Sequence, residues 1–433
     1  MRKLISLLQS FIIMRWPAVI LIIVWLYVIR VYSIPYLPVH LTPDFPGECS
    51  KDCVGVNMTE KNLEDSKLNG VDLNGAILRQ AKLNRVELRQ SNLSGADFRK
   101  AVLGEVDLTE ANLSGADLSQ ANLHGVILQG TNLNAANMFQ TNLTGVVFNN
   151  VELNAIVLNE AILIGADLEN VNLYAAELTG ADLSGANLIG TDLTGAHLDR
   201  AVLIGTDLSN TIFIGASLES ANLSGAILTN ANLNGITLDQ GNLSGASAAW
   251  INLSNTSLIS ANLSGTNLEY ATLTDSNLTG VNFKGASLRY ANFSGAMLVG
   301  ANFSGADLEN VNLSGAILNG ADFSGTNLTN ADLSIANADK EIKQDTKEKQ
   351  DINQPKTYMT EAKLIGANLS YATFIDDDFI GADFYGANLT RTDLRSSNLS
   401  FANLENANLK YINYNVETIW PKEFDIHVAL SDN

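Results

Sequence analysis

Basic residues are all but missing from the middle of this sequence. Between residues 101 and 283 there are 17 acidic side chains and one cation, Arg200, within a 433-residue chain of formal net charge −20. Phosphate binding needs a basic surface, so a nucleic-acid ligand is not expected. Histidine is equally thin: His40, His124, His197 and His427 are too scattered for a metal-ligand motif. There is no Ser/His/Asp set with local motif support, no P-loop and no Gly-rich dinucleotide turn. The carboxylates follow a repetitive pattern with no sign of a pocket that would shift their pKa values. The expectation is a non-enzymatic protein without cofactor, metal or small-molecule substrate. The acidity itself reads as solubility for a long molecule.

Cysteine is limited to Cys49 and Cys53, spaced C-x3-C. In an oxidising compartment the two could pair and close a small loop; otherwise they are free thiols in a linker. Long apolar runs are confined to the part of the chain before Val39. Pro17 to Leu37 is a stretch of 21 residues, with Arg30 near one end and Trp16, Trp25, Tyr27, Tyr32 and Tyr36 as interfacial anchors. No small-x-small cleavage site follows it, so a single transmembrane helix is expected rather than a removed signal peptide. Arg2, Lys3 and Arg15 precede the span, which places the rest of the chain in the periplasm or a lumen.

What is abundant is a five-residue rhythm. From Leu63 to Leu333 every fifth residue is Leu or Phe over 55 positions, with only Met138 and Ala248 departing. Neither a helix nor a long strand holds a period of five on one side; a path that turns at every unit does. Two residues before each large residue stands a small one, usually Ala, Val, Thr or Ser. Both should face inward, and the Asn or Asp between them outward. The last residue of each unit alternates. It is Gly in 19 of 26 positions ending in 5 and in 6 of 26 ending in 0, which predicts type II turns mainly at the first kind.

The unit Ala-Asn-Leu-Ser-Gly, as at residues 111–115 and 221–225, resembles the pentapeptide-repeat family. The resemblance covers residues 61–335 and again 357 to about 415. It implies an all-β solenoid, a right-handed quadrilateral β-helix with four units per coil. Phe283, Phe303 and Phe323 recur every 20 residues in agreement with that count. The segments are then an anchor at 1–38, a linker and cap at 39–60, a first repeat block at 61–335, a charged loop at 336–356, a second block at 357–415 and a cap at 416–433. The second block is expected to stack on the first, with a hinged pair of rods as the alternative. Thr418-Ile419-Trp420-Pro421 followed by Phe424-Asp425 is similar to the tail of many cyanobacterial members.

Two surface features invite a function. Trp250, Tyr270 and Tyr290 share one corner of successive coils, a candidate partner-binding ladder or simply rings that cover one another. Arg79, Lys82, Arg85, Arg89, Arg99 and Lys100 form a basic cluster near the anchor, diluted by Glu87 and Asp97, which reads as a mixed-charge face or a lipid-facing one. The expected role is a membrane-tethered structural or interaction scaffold for an unidentified protein partner. The alternative comes from the resemblance: some family members are acidic rods that mimic duplex DNA and bind DNA gyrase. Here the acidic stretch carries one charge per roughly 2.7 Å of rod, sparser than the one per about 1.7 Å of duplex DNA.

Overall fold

The computed structural model describes residues 52–334, 336 and 357–426, all within the compact unit Phe45–Asn433. The expected membrane segment, Cys49 and the charged stretch 337–356 lie outside these residues. Among the described residues no helix is long and apolar enough to cross a membrane.

The units contribute short β-bridges at the residue before the large inward side chain, which with few exceptions pair in parallel with the residue 20 positions on, as in Asn222 with Asn242 and Asn242 with Asn262. Five-residue units and a 20-residue repeat make a coil with four sides. From Leu73 onward the inward leucines are buried, and so are most of the small residues two positions before them, giving one continuous apolar core. Aromatic rings fit the bore by stacking: Phe283, Phe303 and Phe323 lie face to face at 4.8 and 4.7 Å, with Phe293 set edge-on at 5.7 Å from Phe283.

The unit Gly241–Gly245 shows why this sequence closes. Gly241 N–H donates to Leu238 O across the turn, Asn242 N–H to Ala221 O on the coil before, and Leu243 and Gly245 N–H to Asn262 O and Ser264 O on the coil after. The fifth N–H, of Ser244, points back into its own unit and donates to Asn242 Oδ1 at 3.1 Å. All five donors are satisfied, which a buried or half-buried backbone requires. An Asn or Asp ahead of the leucine is therefore a structural acceptor as well as an outward polar group.

Two features depart from the sequence reading. Every corner from Gly55 to Asn330 has a positive φ, whether Gly or not, so the corner φ does not follow the alternation of Gly along the sequence. Non-Gly corners sit at φ 52–63°, Gly corners at 63–72°, so a side chain is accommodated by a small shift deeper into the left-handed well. The solenoid also starts before the leucine series does. Asp52 and Asn57 already pair with Asp72 and Ile77, because Cys53 and Met58 take the inward position without disturbing the turn.

The ladder continues across the charged insertion. Asp322 pairs with Tyr358, Asn327 with Lys363 and Asp332 with Asn368, a step of i to i+36 in place of i to i+20. The second block thus extends the first as one ladder. At the far end Ile419 pairs with Asn398, and Tyr414, Trp420 and Phe424 cover the last apolar layer with ring contacts of 5.7 and 5.6 Å.

Candidate interaction surface

Corner residues project outward once per coil, so identical corners repeat at the strand spacing of about 4.8 Å. That spacing suits stacked rings. Trp250 and Tyr270 lie 4.2 Å apart and 4° from parallel, and Tyr270 and Tyr290 4.9 Å apart and 3° from parallel. All three hold φ near +60° (63°, 60° and 58°), a conformation that costs a non-Gly residue about 1 kcal/mol or more. Stacking offsets roughly 0.5–1.5 kcal/mol per pair. The rings nevertheless remain 59, 40 and 45% exposed. They cover one another in part and still present a ridge to solvent.

One flank of the ridge is charged. Arg289 lies 6.0 Å from the Tyr290 ring centre and 3.1 Å from Glu309, with Asp307 at 3.7 Å. The Glu309 carboxylate raises the guanidinium pKa further above its already high value. Ser287 Oγ donates to Glu269 at 3.0 Å on the same side. The other flank, with Asn252, Thr272 and Asn292, is uncharged. Ala248, where the leucine series lapses beside Trp250, is buried and keeps its bond to Asn267 O at 2.8 Å.

The four arginines of the basic cluster form ion pairs, all between coils except Arg99 with Asp97. Arg79 and Arg99 both meet Asp97, Arg89 meets Asp107, and Arg85 meets Asp65 at 2.7 Å. The charge of these arginines is neutralised locally. Cys53 is disulfide-bonded and nearly buried; Cys49, the other cysteine of the sequence, lies outside the described residues. Among the described residues no three metal-ligating side chains come together.

A second aromatic corner escaped the sequence reading. Tyr371, Arg391 and Tyr411 stack on one corner, the guanidinium carbon lying 5.6 and 5.4 Å from the two ring centres. The signal was present as a regular spacing of one coil, but the central arginine interrupts the aromatic pattern.

Models of the pentapeptide repeats match in eight copies, over residues 52–85, 176–213, 212–245, 242–280, 266–305, 276–315, 306–339 and 378–410. A pentapeptide repeat region matches 81–158. The chain belongs to the pentapeptide-repeat family. No curated relative matches it. Solved structures similar to it include QnrB1, a plasmid-mediated fluoroquinolone resistance protein, at 22% identity, 40% of this chain, 81% of that one and TM-score 0.29. HetL, a pentapeptide repeat protein involved in heterocyst differentiation regulation in Nostoc sp. strain PCC 7120, is 27% identical over 68% of this chain and 94% of its own, with TM-score 0.16. A pentapeptide repeat protein of the Arabidopsis thaliana thylakoid lumen is 31% identical over 30% of this chain and 64% of its own, with TM-score 0.17.

Proposed function

We propose that this protein is a non-enzymatic scaffold whose right-handed rod docks a protein partner, held at a membrane by residues 1–38 with the repeats in the periplasm or a lumen. The observation that carries the docking reading is the Trp250–Tyr270–Tyr290 ridge: three exposed rings stacked on one corner of successive coils, each at a positive φ. Aromatic side chains of this kind concentrate binding energy at interfaces. The apolar N-terminal stretch supports the tether.

Proximity labelling from the rod in living cells tests both parts, because it reports compartment and neighbours together. The expected result is a membrane-fraction protein that labels a defined partner, and loss of that partner when Trp250, Tyr270 and Tyr290 are all replaced by Ser. Retention of every partner by the triple variant would remove the docking surface, and a full-length product that washes off membranes in ordinary salt would remove the tether. The second reading, a gyrase-binding DNA mimic, is favoured only by the acidic run from 101 to 283. Inhibition of supercoiling by the protein would select it.

A further inference from the structure

The ladder between coils is broken at two neighbouring steps. From Leu73 to Leu313 every inward residue donates its N–H to the next coil except Leu128 and Leu153. Likewise Ile127 does not pair with Val147, nor Glu152 with Asn172, although all four keep their pairings on the other side. Phe148 N–H bonds forward to Asp167 O, whereas Glu152 N–H bonds back to Thr131 O. The chain steps between coils at the Asn150 corner.

Overfilling of the bore accounts for the step. Phe148 is buried between Val146 and Val151, while Phe98, Phe213, Phe283, Phe293, Phe303 and Phe323 each have Ala on at least one side and leave the ladder intact. Extra inward volume is relieved by backbone displacement.

The displacement opens a cleft of about 540 Å³, lined by Gly125, Ile127, Gln129, Val147 and Asn149 among others. Ile127 and Val147 are 49 and 46% exposed, somewhat more than the aliphatic ladder residues Ile162, Ile212 and Ile227 at 40, 38 and 40%. The N–H groups of Leu128, Gly130 and Val147 find no acceptor among the described residues, and the carbonyls of Val126, Val147 and Asn149 receive no donor there. Glu105 and Glu110 border the cleft beneath Gly125 and Gly130, and Asp167 and Glu169 stand on the coil above. No Lys or Arg occurs between Lys100 and Arg200.

Unpaired main-chain donors and acceptors beside two exposed aliphatic side chains, inside an uncompensated negative field, define one kind of occupant. We propose that this cleft binds a short extended peptide segment of a protein partner, with Lys or Arg on alternate residues and aliphatic side chains between them. The peptide's main chain takes up the free ladder groups, its aliphatic side chains cover Ile127 and Val147, and its cations face Glu105, Glu110, Asp167 and Glu169. The site is separate from the aromatic ridge.

Fluorescence anisotropy of the full-length chain with a labelled eight-residue peptide of alternating Lys and Val tests this. Saturable binding that weakens as salt rises is expected, with no binding of the Glu/Val counterpart. N-methylation of alternate peptide amides, the Ile127→Ser/Val147→Ser double variant, and Phe148→Leu should each weaken binding by about tenfold or more. Phe148→Leu should also slow hydrogen exchange at the Leu128 amide, which in the parent exchanges faster than that of Leu133. The variant with Ser at positions 250, 270 and 290 should bind as the parent does. Absence of binding, equal binding by the N-methylated peptide or by both cleft variants, loss of binding in the aromatic-corner variant, or a Leu128 amide as protected as Leu133 would each overturn the proposal.

Discussion

Replacing Asn242 by Ala removes a carboxamide that does three things at once. Its Oδ1 accepts from Ser244 N–H at 3.1 Å and from Asn262 Nδ2 at 3.2 Å, and its Nδ2 donates to Asn222 at 3.2 Å. A loss of about 1–2 kcal/mol in unfolding free energy by urea titration is expected, because an N–H on the coil surface is left to water alone. Where a unit lacks its own Asn or Asp, the coil before it can supply the acceptor. Asn69, Asn84, Asn134, Asn159, Asp199 and Asp239 each accept the N–H of the residue 20 positions later, and in each case that later unit has another residue type ahead of its leucine. Corners obey a different constraint. A Cβ at Gly115 meets nothing within 4 Å, so Gly115→Ala isolates the backbone cost of φ +66°. A destabilisation of about 1 kcal/mol in the same titration is expected.

At the scale of coils, the ion pairs near the beginning of the rod make its stability sensitive to acid. Burial works to raise the Asp97 pKa, but hydrogen bonds from Arg99 and Arg79 outweigh it and hold the carboxyl below its ordinary value. Asp107 follows the same pattern: burial is opposed by the Thr109 hydroxyl and N–H and by Arg89. A depressed folded-state pKa means that the stabilisation is present above the ordinary carboxylate range and is lost as pH falls through the folded value. Stability measured by urea midpoint should therefore drop below about pH 4. Asp97→Asn should flatten part of that drop and lower stability at pH 7 by roughly 1 kcal/mol, a modest figure because the arginines are half-exposed. The insertion is a second property of this scale. Asp322 pairs with Tyr358, at i+36 where the repeat demands i+20, so a segment the length of 340–355 is supernumerary. Deleting residues 340–355 restores the period and should leave the unfolding free energy by urea titration within about 1 kcal/mol of the parent's. Asp377 must be kept in any such deletion: it is buried in the bore and accepts Thr357 N–H at 2.6 Å where the repeats resume.

For the whole molecule, each coil touches only its neighbours, so stability accumulates along one axis and features can be placed anywhere on it without refolding the rest. The aromatic ridge, the opened ladder at Asn150 and the Tyr371–Arg391–Tyr411 corner are such local variations. The five-residue spacing of inward leucines was legible because burial enforces it at every unit: a single slip would turn a large apolar side chain outward. The resumption of the run at Leu364 was legible for the same reason, since its period is intact there. The candidate ridge was visible too, as three aromatic residues one coil apart. Sequence alone determined the period, the inward set and the excess of carboxylates. It could not show that every corner takes a positive φ, because Gln, Asn and Tyr tolerate that conformation under tertiary constraint. Nor could it show which N–H borrows its acceptor from the coil before, which arginines neutralise which aspartates, or that Phe148 between two valines parts the ladder. Those outcomes depend on groups a full coil apart along the chain being brought within hydrogen-bonding or packing distance, which only the closed coil decides.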